Sequence, residues 1–109
     1  MATKESTVEY ILDQLEGVAQ VRVRKMFGEY ALYCQDKVVG FVCDDELCVK
    51  ITEPGKRFVG AKYQEGFPYP GAKPAIHVSA DMLENRRFLS ELIAITTKAL
   101  LTRNPKKRQ

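Results

Sequence analysis

The stretch QVRVRKMFGEYALYCQDKVVGFVCDDELCVKI, residues 20–51, decides the fold. Val21, Arg22, Val23 and Arg24 alternate apolar and polar at the two-residue period of a half-buried strand. Lys25, Met26 and Phe27 break that period with Gly28 beside them, which predicts a bulge or corner at this point. Residues 30–34 and 38–43 are β-branched and aromatic runs joined by Gln35-Asp36-Lys37, a link of hairpin length. Asp44-Asp45 then turns the chain into residues 47–51. Four successive strands with short links predict an antiparallel meander.

Working outward, Val8, Ile11, Leu12 and Leu15 fall at i, i+3, i+4 and i+7, predicting a helix over residues 7–16. Ser6 or Thr7 is its candidate cap, and Gly17 its stop. Downstream, Thr52 as cap and Pro54 in the first turn predict a short helix over residues 52–61. Residues 62–74 read as loop, because Gly66, Pro68, Pro70, Gly71 and Pro74 interrupt regular structure. Tyr63, Phe67 and Tyr69 are interleaved there, so the loop is expected to pack onto the domain. Residues 75–79 read as a fifth strand, with Ile76 and Val78 inward and His77 outward. Residues 81–84 form a first turn, and Asn85 is the candidate cap of a last helix over residues 86–101. Its apolar stripe runs through Leu89, Leu92, Ile93, Thr96, Ala99 and Leu100. The order predicts an α+β fold of two layers: an antiparallel sheet of about five strands covered by an N-terminal and a C-terminal helix. The strand at 75–79 is expected at the sheet edge, where it offers a route to a homodimer.

The 109 residues suit one domain, and the 45% hydrophobic and 28% charged fractions are globular values. No apolar run approaches the roughly 20 residues of a membrane span. The opening MATKESTVEY lacks the apolar core of a secretory signal, so a cytoplasmic protein is expected, with no membrane partner. The net charge of +3 is unevenly placed. Arg103, Lys106, Lys107 and Arg108 lie in the last seven residues, and the remaining thirteen basic side chains face fourteen acidic ones. Residues 1–102 are therefore read as a nearly neutral domain, and 103–109 as a basic, disordered tail.

Chemistry is sparse. Cys34, Cys43 and Cys48 form an odd set without a C-x-x-C pair, which suits free thiols in a reducing compartment. They read as buried strand filler, with a redox-sensing thiol as the alternative. A zinc site would need four suitably spaced ligands, and the single histidine, His77, stands far along the chain. Any activated nucleophile would depend on His77, which sequence places beside no acid. Asp44-Asp45-Glu46 reads as a solvated hairpin tip, and Gly28, Gly40 and Gly55 form no phosphate-binding loop. No catalytic residue, cofactor or metal is expected.

Binding is the better-supported chemistry. Arg22, Arg24 and Lys25 lie along the first strand, and Lys73 follows Tyr69 in the Pro/Gly loop. Basic and aromatic groups brought together suit an anionic or peptide partner. Nucleic-acid binding through that strand and Arg103, Lys106, Lys107 and Arg108 is an alternative. A small-ligand or redox-sensing module is another.

The block Arg24-Lys25-Met26-Phe27-Gly28-Glu29-Tyr30-Ala31-Leu32-Tyr33 resembles the N-terminal domain of the TfoX (Sxy) competence-regulator family. Residues 39–47, Phe67-Pro68-Tyr69-Pro70-Gly71-Ala72-Lys73-Pro74 and the closing helix from Asn85 extend the resemblance to nearly the whole chain. It implies an α+β, secretion-chaperone-like fold and a regulatory role without a catalytic motif. Full-length members are co-activators of DNA-uptake genes thought to act with the cyclic-AMP receptor protein, which implies a protein partner in the transcription machinery. These 109 residues hold no counterpart of the C-terminal helical domain of those members, so a stand-alone N-terminal domain is expected.

Overall fold

The computed structural model describes residues 3–26 and 29–102. Phe27 and Gly28, with the corner expected there, and the tail from Arg103 lie outside the described residues.

The meander forms as its alternation predicts. Strands β1 (Val21–Met26), β2 (Glu29–Cys34), β3 (Lys37–Cys43) and β4 (Glu46–Val49) pair antiparallel in succession. Both two-residue turns place their central residues at positive φ: 52° and 66° at Gln35 and Asp36, 53° and 62° at Asp44 and Asp45. That geometry matches the right-handed twist of the flanking strands, and Asp tolerates it better than most side chains. Register slips by one residue between Leu32 and Tyr33, where β3 carries an extra residue. Close to this irregularity β3 and β4 approach tightly. A Cβ on Gly40 would stand 2.4 Å from the Cys48 carbonyl oxygen.

Two findings differ from the sequence reading. The loop contains a two-residue strand, β5 (Glu65–Gly66), and the sheet order is β1-β2-β3-β4-β6-β5. The strand β6 (Ala75–His77) is therefore enclosed by β4 and β5, not at the sheet edge, and offers no open side for a second copy. The physical reason is that the loop doubles back: Glu65 and Gly66 pair with Ile76 and Ala75, an arrangement two residues cannot announce by periodicity.

Helices close one face. Helix α1 spans Glu5–Gln14, α2 Glu53–Val59, α3 Ala80–Glu84 and α4 Arg86–Thr102, with a 3₁₀ turn over Gly60–Lys62. Thr52 caps α2 by accepting from the Gly55 N–H at 3.0 Å, and Asn85 caps α4 through the Phe88 N–H, also at 3.0 Å. Leu32, Val42, Val49 and Ile76 from the sheet meet Ile11, Leu89, Leu92 and Ile93 from the helices in one buried cluster. Each such side chain contributes roughly 1.5–3 kcal/mol through burial. Thr96 and Thr97 belong to the buried stripe, their hydroxyls donating to Leu92 and Ile93 carbonyls, whereas Ala99 and Leu100 are only partly covered. Phe58 stacks on Phe88 to join α2 and α4. Arg86 bonds Asp13 at the end of α1, and Gln14 donates to the Leu83 carbonyl.

The Asp44-Asp45-Glu46 tip is not merely solvated. The Asp45 carboxylate accepts from the Lys4 N–H and the Thr7 hydroxyl, both at 2.9 Å. Lys4 precedes α1 and offers no side-chain cap, so the hairpin tip caps that helix from across the fold. These two bonds, the Lys4 N–H first, hold the Asp45 carboxyl below its ordinary value.

Candidate functional site

Strand alternation sends Leu32, Val42, Leu47 and Ile76 to the helices and the intervening residues to the other face. Register aligns Arg24, Ala31, Phe41, Cys48 and His77 in one row across that second face. In the adjoining row Met26 opposes Glu29, and Cys43 opposes Glu46.

The Pro/Gly loop, residues 67–74, supplies cover where helices do not. Pro68 is buried, and the Tyr69 ring meets Phe41 edge-on, with centroids 5.7 Å apart and planes at 87°. An edge-to-face pair of this kind is worth about 0.5–1.5 kcal/mol beyond its buried area. On this face Ala31, Cys43 and Cys48 are buried although they face away from the helices, and Cys43 and Cys48 lie beside the strap. Tyr69 itself remains 44% exposed and Phe67 66%.

Two of the grooves beside the strap are the larger ones. One, about 550 Å³, runs between the β3–β4 hairpin and the loop and is lined by Glu29, Asp44 and Glu46, by Phe67 and Tyr69, and by Cys43 and Cys48. The second, about 540 Å³, lies beyond Tyr69, where Phe41, Lys50, Lys73 and Pro74 gather.

The electrostatics quiet the groups that could react. Cys43 is pushed up to about 11, by burial first and then by the negative charge of Glu29 and neighbouring groups. Burial and Glu46 raise Cys48 as well. All three cysteines are buried, and the thiolate needed for nucleophilic or redox chemistry is disfavoured at Cys43 and Cys48. His77 Nε2 lies 3.2 Å from Glu46 Oε1, a partner 31 residues away that sequence could not place. Among the described residues no group of three or more His, Cys, Asp or Glu side chains is arranged to hold a metal ion. No described helix is long and apolar enough to cross a membrane.

The basic residues singled out in the sequence are only partly brought together. Arg22 lies over the Tyr33 ring at 4.6 Å and bonds Asp36 at 3.1 Å, so its charge is already engaged. Arg24 is exposed in the same row as Phe41. Lys25 opposes Tyr30 and by alternation leaves that face, which splits the expected stripe. Tyr69 and Lys73 share the second groove. Arg103, Lys106, Lys107 and Arg108 lie outside the described residues.

Sequence reasoning missed Phe41, Glu29 and Glu46 as wall residues. A signal existed: the unbroken apolar run Val38-Val39-Gly40-Phe41-Val42-Cys43 is the mark of a strand covered on both faces.

Comparison with known proteins adds two findings. The family model of the TfoX N-terminal domain matches residues 13–100. A Spirochaeta aurantia protein, described as an uncharacterized 12.7 kDa protein in the trpE 5′ region, is 41% identical over 107 residues, which cover 98% of this chain and 91% of that one.

Proposed function

Since the chain belongs to the TfoX N-terminal domain family, we propose that it is a cytoplasmic regulatory domain that binds a protein partner in the transcription machinery and catalyses no reaction. The observation that carries this reading is the Phe67–Tyr69 ridge, two aromatic side chains left exposed on the sheet face that no helix covers. Aromatic side chains flanked by charged groups are the usual anchors of protein interfaces. The raised thiols of Cys43 and Cys48 support an absence of cysteine-based catalysis.

The test is genetic. Deleting the gene should shift transcript levels at a defined set of promoters, and the intact chain should restore them. A chain carrying both Phe67→Ser and Tyr69→Ser should fold and yet fail to restore them. Transcript levels indifferent to the deletion would overturn the reading. Direct nucleic-acid binding is the second reading, favoured by the exposure of Arg24 on the same face. Were Arg103, Lys106, Lys107 and Arg108 all to contact duplex phosphates, log affinity would fall against log salt with a slope of about −3.6. Removing residues 103–109 would flatten it.

A further inference from the structure

We propose that the groove between the β3–β4 hairpin and the loop receives an arginine side chain presented by the protein partner. This rests on the reading of the domain as a protein-binding module. Four large apolar or aromatic side chains are exposed among the described residues, and two of them, Phe67 and Tyr69, line this groove. Glu29, Asp44 and Glu46 line the same space, Glu29 Oε1 already accepting from the Thr3 hydroxyl and the Asp44 N–H, and no Lys or Arg lines it among the described residues. Glu46 is largely exposed even while it meets His77.

Aromatic rings and carboxylates lining one groove match one ligand group closely. A guanidinium is planar and always charged; it stacks on a ring while its N–H fork reaches carboxylate oxygens. An ammonium offers a point charge without the flat surface. The volume of about 550 Å³ exceeds what one side chain fills, leaving room for the backbone that carries it. The charge of the site is opposite to that of its ligand, which also steers approach. Of the basic residues on the same sheet face, Arg22 and Arg24 sit on β1 away from the hairpin, and Lys50 and Lys73 line the other groove, beyond Tyr69.

The test is an NMR titration of the full chain with the capped peptide Gly-Gly-Arg-Gly-Gly, beside versions carrying citrulline or Lys in place of Arg. The arginine peptide should move the amide signals of Glu29, Glu46, Phe67 and Tyr69 saturably and more weakly as salt rises. Citrulline, isosteric but uncharged, should bind at least ten-fold more weakly, and Lys should fall between. Phe67→Ala and Glu46→Gln, both at exposed positions, should keep a folded spectrum and each weaken binding about two- to five-fold. Equal binding of the citrulline peptide, or shifts confined elsewhere, would overturn the assignment. Putrescine producing the same shifts at lower concentration would replace the partner's arginine by a free amine. If the Phe67 and Tyr69 variants abolish the transcript effect while the arginine peptide stays unbound, this inference fails and the protein-binding reading survives. If deletion leaves transcripts unchanged, the protein-binding reading itself fails.

Discussion

The two faces of the sheet are closed by different means. Toward the helices, Leu32, Val42, Val49 and Ile76 interlock with Leu89, Leu92 and Ile93, and none of these side chains reaches solvent. Away from them, a short Pro/Gly loop rests Pro68 and Tyr69 beside Phe41, Cys43 and Cys48 and leaves two aromatic rings in water. Aliphatic interdigitation supplies stability on one side. On the other, a few ring contacts position a loop that makes little of its own apolar surface inaccessible. Regions with sparse packing open at lower free energy than the core, and binding loops are drawn from them.

This contrast is most sharply tested from the helix side. Leu92→Ala should cost about 2–5 kcal/mol in denaturant unfolding, because the cavity it leaves lies among side chains fixed by both layers. A loss below about 1 kcal/mol would mean the helix face is no better packed than the strap. Next comes the seam between β3 and β4. Gly40→Ala forces a Cβ against the Cys48 carbonyl, a backbone atom with little freedom to move, and should cost about 1–3 kcal/mol. Tyr69→Ala removes the edge-on contact with Phe41 and should cost less, about 0.5–1.5 kcal/mol. It should also speed thiol labelling of Cys43 and Cys48 relative to Cys34, which the strap does not cover; equal acceleration of all three would show that the loop is not an independent lid over its own face.

The smallest effect belongs to Asp45 and depends on pH. Its folded-state value is depressed by the Lys4 N–H and the Thr7 hydroxyl, so the folded chain takes up that proton less readily than the unfolded one. The resulting stability is present above the ordinary value of 3.8 and is lost as pH falls through the folded-state value. Asp45→Asn keeps an acceptor and tolerates the φ of 62° while removing the charge. Thermal melts should place this variant below the wild type at neutral pH, with the gap closing in acid. A gap independent of pH would assign the anchor to geometry alone.

Local chemistry was legible in the sequence, and long-range pairing was not. Thr52, Pro54 and Asn85 identified two helix starts because caps act over three residues, whereas Ser6 and Thr7, the expected caps of α1, lie inside it. The meander followed from alternation and two short links. By contrast, the bond between Glu46 and His77 spans 31 residues, and the one from Thr7 to Asp45 spans 38. Both depend on how the hairpin tip meets elements far along the chain. The same holds for β6, whose place between β4 and β5 follows from the loop's path and not from residues 75–77. At the site, Phe67 and Tyr69 were visible as loop aromatics, whereas the carboxylates lining the same groove were not, because Asp44-Asp45-Glu46 looks like any polar turn until its neighbours are known.

The order of the strands also governs what the molecule does at high concentration. Of the two lateral borders, one belongs to β1 with Arg22, Arg24 and Lys25, and the other to a strand only two residues long. A second chain aligning antiparallel along the first would set cations against cations, and along the other it would find too little ladder to hold. Growth into fibrils by stepwise addition of strands is thereby discouraged at both ends, while the aromatic ridge on the broad face stays open.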